Sequence, residues 1–212
     1  MSKKVNIRNE SKDRGSLDPE VLQCHNDQKH RYGELYRKYQ DSPQGMHFVS
    51  GHTQLSRFLQ FLQMGNLEGK KVLDLGCGFG DFYKFLKEQG ICVQYRGYDI
   101  VREFITCCRE KFPDGHFEER DILFKKPRVK FDYVIASGVF AHANLPFFKE
   151  MIKVAYGLCR TAFGFNMFDT AQEDFFHIDE EEVLHWCRQM NPADIKVTRD
   201  YLPGDYTVFV YR

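Results

Sequence analysis

The sequence has little that would place it in a membrane or among strongly basic proteins. None of its 212 residues fall in an apolar run near the roughly 18 to 20 residues that a membrane-spanning helix needs, and residues 1–15 lack an apolar signal core. The 30 Lys and Arg balance the 30 Asp and Glu, so the formal net charge is zero. Binding by broad phosphate contact needs clustered basic residues. We therefore expect a cytoplasmic protein without a membrane partner, and nucleic acid is a disfavoured partner.

The sequence also lacks the cysteine spacing of a disulfide framework or a zinc site. Its seven cysteines are odd in number and scattered, with no C-x-x-C pair. We predict reduced, mostly buried thiols and no metal. Hydrophobic residues make up 42% of the chain, which is enough to form a core and excludes disorder as the overall state.

The chain divides into three predicted segments. Residues 1–16 are polar and are expected to form a disordered leader. Residues 17–66 have apolar side chains at helical spacing around 18–39 and 53–64, which predicts an N-terminal helical segment. Residues 67–212 alternate short apolar runs with helical stretches and close with two strands near 195–199 and 207–211. This βαβ rhythm predicts an α/β fold: a Rossmann-like, doubly wound, mainly parallel seven-stranded sheet with an antiparallel C-terminal edge strand.

A glycine-rich turn at residues 72–80, VLDLGCGFG, is the most informative stretch. A turn from a parallel strand into a helix presents backbone N–H groups at the carboxyl edge of the sheet, and glycine lets a ligand approach them. A nucleotide-type ligand is expected. The dinucleotide pattern G-x-G-x-x-G would need glycine where Asp81 stands, and Asp74 would repel a pyrophosphate but suits an ammonium group.

This nonapeptide resembles the first motif of the class I S-adenosylmethionine-dependent methyltransferases, and the resemblance covers about residues 54–211. It implies S-adenosyl-L-methionine as cofactor, with its methionine part on the glycine loop. Asp99, which ends the second strand, is expected to accept the ribose hydroxyls. The resemblance further implies that Asp121 accepts the adenine amine and that Ile122 packs on the ring. The full set of expected cofactor-binding residues is Asp74, Gly76, Cys77, Gly78, Asp99, Ile100, Asp121, Ile122, Ser137 and Arg57.

The methyl acceptor is predicted to be a small molecule, with oxygen or nitrogen as the acceptor atom. The loop after the fourth strand reads SGVFAHAN and lacks the [DNS]-P-P-[YFW] pattern of base-amino methylation. Residues 17–66 resemble the lid that small-molecule methyltransferases fold over the substrate. An RNA or protein methyltransferase of the same fold and a non-catalytic cofactor-binding protein remain alternatives. A nicotinamide oxidoreductase is disfavoured by Asp74 and Asp81.

Histidines are the candidate general bases, and tyrosines of the helical segment are candidate pocket residues. His142 comes first because it follows the fourth strand, and His47 and His52 of the lid come next. A structural histidine is the alternative for each, and a carboxylate acceptor would need no base. A guanidinium at Arg57 suits the cofactor carboxylate or a surface ion pair. The candidate substrate-binding residues are Tyr32, Tyr36 and Tyr39, which a helix packing stripe also explains.

Overall fold

The computed structural model describes residues 17–40, 42, 51–169 and 175–212. The predicted leader at residues 1–16 and the candidate base His47 lie outside these residues. The helices of the described part are α1 (Pro19–Tyr39), α2 (Gly51–Phe61), α3 (Asp81–Glu88), α4 (Arg102–Lys111), α5 (Leu145–Leu158) and α6 (Glu180–Arg188), and a 3₁₀ turn (Leu62–Met64) follows α2. The strands are β1 (Lys71–Leu75), β2 (Gln94–Asp99), β3 (Phe117–Glu119), β4 (Phe131–Ala136), β5 (Cys159–Phe168), β6 (Asp194–Thr198) and β7 (Asp205–Tyr211).

The seven strands form one sheet in the order β3-β2-β1-β4-β5-β7-β6. The pairs among β1 to β5 are parallel, whereas β7 runs antiparallel to both β5 and β6. The predicted doubly wound, mainly parallel fold is therefore confirmed, and so is the antiparallel closing pair. The last strand, β7, lies one position inside the edge, and β6 forms the edge itself. Six of the seven residues of β7 are therefore buried, whereas none of the residues of β6 is.

Helix α1 is one continuous helix over the first of the two stretches with helical spacing. Asp18 starts it: its Oδ1 accepts the backbone N–H of Glu20 at 2.8 Å, and Pro19 occupies the first turn. The buried face of α1 carries Val21, Cys24, His25 and Gln28. Because α1 packs on α5, this face reaches the carboxyl edge of the sheet.

Helices cover the sheet on both faces, since alternate residues of each strand point to opposite sides. Leu73 belongs to a buried cluster with side chains of α1, α5 and α6, and its neighbour Val72 belongs to another with side chains of α2, α3 and α4. The two cores leave the carboxyl ends of the parallel strands open between the helical layers. None of the helices in the described ranges is both long and apolar enough to cross a membrane.

Candidate cofactor and active site

A cavity of about 470 Å³ lies at the carboxyl ends of the parallel strands. In an open α/β sheet ligands bind at this edge, where the strand order reverses, here between β1 and β4. Each strand end contributes lining residues: Gly76 after β1, Asp99 on β2, Asp121 after β3, Ser137 after β4 and Phe168 on β5. Helices α1 and α2 form the opposite wall. The cavity has the size of an ordinary small-molecule site.

The glycine loop after β1 brings its backbone to the cavity. Gly76 and Gly78 both line it and have φ angles of 66° and 54°, in the left-handed region that favours glycine. A Cβ added at Gly76 would lie 2.7 Å from Cγ2 of Val139, so a side chain does not fit there. The loop therefore presents bare backbone to a ligand.

Asp99 fixes the glycine loop and faces the cavity. Its Oδ2 accepts the backbone N–H of Gly78 at 3.0 Å, and its Oδ1 accepts that of Val101 at 2.9 Å. Burial raises the pKa of Asp99 to about 6, against the opposing effect of these backbone donors. Its carboxylate is thus a preorganised acceptor for hydroxyl donors.

Asp121 is paired with a histidine that the sequence analysis missed. Nε2 of His25, on α1, lies 3.0 Å from Oδ2 of Asp121, and the backbone N–H of Leu123 donates to Oδ1 at 3.0 Å. Burial raises the pKa of Asp121, and the positive charge of His25 acts in the opposite direction. Both side chains line the cavity. The available signal was the position of His25 on the buried face of α1, beside Val21.

Two buried hydroxyls support a polar ligand at this site. Oγ of Ser137 and the hydroxyl of Tyr98 have no hydrogen-bond partner among the described residues, and both residues line the cavity. Buried polar atoms are normally paired, so a bound ligand is the natural partner for them. Together with the two carboxylates and the apolar side chains of Ile100 and Ile122, they fit an adenosine group.

Asp74 and Cys77 do not line the cavity, and their contact with the cofactor stays a prediction. Asp74 shares the face of β1 that holds Val72, and the hydroxyl of Tyr95 donates to its Oδ2 at 2.6 Å. Burial raises the pKa of Asp74 to about 7 and also raises that of Cys77. The side chains of Asp74 and Cys77 thus lie on the side of the glycine loop away from the cavity.

Of the described histidine and tyrosine candidates, His142 and Tyr32 line the cavity, and His52, Tyr36 and Tyr39 do not. His52 is exposed, and Tyr39 is 39% exposed. Tyr36 lies one helical turn beyond Tyr32 and packs against other rings, so the helix packing alternative explains it.

Arg57 forms a buried ion pair rather than a surface one. Its Nε and Nη2 lie 2.6 and 2.5 Å from Oδ2 of Asp205, and both side chains line the cavity. The Asp205 Oδ1 accepts from the hydroxyl of Tyr201 at 2.7 Å and from Nδ2 of Asn166 at 3.5 Å. Burial raises the pKa of Asp205, and Arg57 opposes that rise. Asp205 is not among the predicted site residues, because nothing local in the sequence shows its distant partner.

The cavity thus has two ends. Asp99 ends β2 and Asp121 follows β3, whereas Phe168 and Asp205 belong to β5 and β7, on the other half of the sheet. Three strand spacings separate β2 from β5, or roughly 14 Å. We call the first the β2–β3 end and the second the β5–β7 end.

Comparison with known proteins agrees with this geometry. Residues 73–161 match the family model described as a methyltransferase domain. The chain is 23% identical over 157 residues to Rv1506c of Mycobacterium tuberculosis, which is named as a methyltransferase. This match covers 66% of this chain and 91% of that protein. It is 27% identical over 78 residues to the trans-aconitate 2-methyltransferase of Afipia carboxidovorans, covering 37% of this chain and 30% of that enzyme.

A solved structure extends the likeness to nearly the whole fold. Magnesium protoporphyrin IX methyltransferase from Synechocystis PCC 6803 was crystallised with bound S-adenosylhomocysteine (SAH). It matches with a TM-score of 0.65 at 17% identity. The match covers 92% of this chain and 100% of that chain. At this identity the likeness establishes the fold.

Proposed function

We propose that this chain is an S-adenosylmethionine-dependent methyltransferase, as the match of residues 73–161 to a methyltransferase domain supports, and that it methylates an oxygen or nitrogen atom of a small molecule bound in this cavity. One observation carries the proposal: a single cavity has the glycine loop and Asp99 and Asp121 at one end and a separate polar and aromatic group at the other. The first end suits the cofactor. The second end leaves room for an acceptor within reach of it.

The residues divide into roles accordingly. Asp99 accepts the ribose hydroxyls, Asp121 accepts the adenine amine, and Ile122 packs on the base. The cofactor supplies a methyl group activated on a sulfonium. The protein's contribution is to orient the two molecules and to exclude water. Where the acceptor atom carries a proton, His142 takes it as general base.

The N-terminal segment covers the site in this proposal. His25, Gln28 and Tyr32 of α1 and Thr53 and Arg57 of α2 line the cavity, opposite the strand ends. Residues 17–66 then act as the lid and residues 67–212 as the cofactor-binding domain. An acceptor enclosed between them is a small molecule rather than a folded macromolecule.

Calorimetric titration with S-adenosylmethionine and SAH tests the proposal, with NAD as the control ligand. We expect micromolar binding of the two adenosyl ligands and none of NAD. A second stage measures SAH formation from S-adenosylmethionine with a panel of small phenols, amines and acids. Binding of NAD instead, or of none of the three, would contradict the proposal.

A further inference from the structure

Four rings, each in contact with the next, form one side of the cavity. The centroids of Phe168 and Phe175 lie 4.9 Å apart, and those of Phe175 and His142 lie 5.4 Å apart with the rings inclined by only 21°. The His142 ring is 6.0 Å from that of Tyr32. All four residues line the cavity, and we call them the aromatic wall.

The aromatic wall is anchored by backbone and packing contacts. The N–H of Phe176 donates to the carbonyl of Ala141 at 2.9 Å, which ties the residue after Phe175 to the residue before His142. Phe176 also packs on Phe148 of the core, with ring centroids 6.2 Å apart. These contacts hold the stacked rings of Phe175 and His142 in place. A planar ligand would extend a stack that is already formed.

The charged residues near the aromatic wall neutralise each other. Arg57 lies 5.4 Å from the ring of Phe168, and Asp205 holds its guanidinium. Both side chains are at least 94% buried, so the surroundings do not screen a further charge well. An anionic acceptor at this end would meet the carboxylate of Asp205, and a cationic one would meet Arg57. Among the described lining residues, the other aspartate and arginine side chains, Asp99, Arg120 and Asp121, lie at the β2–β3 end.

We infer that the acceptor is an uncharged planar molecule, an aromatic or heteroaromatic ring whose hydroxyl or ring nitrogen is methylated while the ring stacks on the aromatic wall. This inference rests on the proposed function. The acceptor's lone pair forms the new bond to the methyl carbon, and the electron pair of the broken carbon–sulfur bond stays on sulfur. A proton on the acceptor atom leaves to the imidazole of His142 or to water.

The test compares ligands of matched shape on the SAH-loaded protein by NMR titration. The probes are 2-naphthol, its saturated counterpart decahydro-2-naphthol, and the trianion trans-aconitate. We expect 2-naphthol to bind at least about threefold more tightly than the saturated alcohol, because stacking adds to burial. Desolvation alone would favour the saturated alcohol. No displacement of 2-naphthol by trans-aconitate is expected.

Variants locate the bound ring. Phe175→Leu and Phe168→Leu should each weaken 2-naphthol binding by about three- to tenfold and leave SAH affinity unchanged. Tyr39→Leu is the matched control, since the structure places Tyr39 on the exposed side of α1, and it should alter neither. Equal or tighter binding of the saturated alcohol, displacement by trans-aconitate, or absence of 2-naphthol binding would overturn the inference. Failure of SAH itself to bind would instead contradict the proposed function.

Discussion

Nε2 of His25 lies 3.0 Å from Oδ2 of Asp121, and this contact joins the N-terminal helix to the end of β3. His25 is only 6% exposed, so the pair closes one end of the cavity under α1. Because Asp121 is the proposed partner of the adenine amine, the position of α1 and the binding of the cofactor are coupled through one side chain. If residues 17–66 form the lid, as proposed, its position and cofactor binding depend on each other.

Removing the histidine should weaken cofactor binding. His25→Ala leaves the buried Asp121 without its basic partner, so the pKa of Asp121 rises further and its carboxylate becomes a poorer acceptor at low pH. We expect about three- to thirtyfold weaker SAH binding, with the larger loss at lower pH. His25→Gln should restore part of the affinity, because its amide can donate to Oδ2. His185→Ala, on the exposed side of α6, is the control, and equal affinities at every pH would exclude this role.

Of the carboxylates next to the glycine loop, Asp99 should be the one whose removal weakens cofactor binding most. Asp99→Ala removes the acceptor for the N–H of Gly78 as well as the proposed ribose contact. Cofactor binding should weaken by about 1 to 3 kcal/mol, measured by calorimetry with SAH. Glu88→Ala, on the exposed end of α3, controls for a general loss of acidic charge. Affinity that stays at the wild-type value in Asp99→Ala would remove Asp99 from the binding site.

Local sequence predicted the sheet well and the site only in part. The alternation of apolar runs predicted the strands of the parallel half, and the run of glycines predicted the loop after β1. Each of these signals lies within a few neighbouring residues of the sequence. The ion pair of Arg57 with Asp205 joins residues 148 apart, and no local pattern encodes such a partner. Asp74 was assigned to the cofactor because a carboxylate suits an ammonium group, and the motif gives spacing but not which face of the strand a side chain takes.

The buried position of Asp74 predicts a pH-dependent stability difference. Its folded pKa of about 7 lies above the ordinary value of 3.8, so the native chain holds a proton that the unfolded chain has released between these pH values. The corresponding stability is fully present below about pH 4 and is lost as the pH rises to about 7. Asp74→Asn does not titrate there. Its free energy of unfolding should gain on that of the wild type by at most about 3 kcal/mol between about pH 5 and about pH 8.

Urea denaturation of both proteins from about pH 5 to about pH 8 measures this difference. Asp114→Asn is the control: Lys87 lowers the pKa of that exposed carboxyl, so it stays ionised throughout and its difference curve should be flat. A flat curve for Asp74→Asn as well would show that Asp74 is ionised in the folded protein. SAH affinity should change less in Asp74→Asn than in Asp99→Ala, because Asp74 does not line the cavity.

The buried pair of Arg57 and Asp205 should cost most when only one partner is removed. Arg57→Met and Asp205→Asn each remove one partner of the pair, and we expect about 3 to 5 kcal/mol lower unfolding free energy for Arg57→Met, which leaves the buried Asp205 carboxylate without its guanidinium. The double variant should recover much of this loss. Lys87→Met breaks an exposed pair with Asp114 of similar length, 2.6 Å, and should change stability by about 0 to 1 kcal/mol. If the loss of unfolding free energy in the double variant Arg57→Met/Asp205→Asn equals the sum of the losses in the two single variants, the two side chains are not coupled.

The last prediction separates the two roles given to His142. His142→Phe keeps a ring that stacks on Phe175 but removes the nitrogen that accepts a proton. If His142 is the general base, kcat for a phenolic acceptor should fall by about 10²- to 10⁴-fold, while the KM of that acceptor and the affinity for SAH stay near the wild-type values. His142→Ala removes both functions, so kcat should fall and KM should rise. Full turnover by His142→Phe would exclude the base and leave the ring with a stacking role, because the acceptor proton would then leave directly to water.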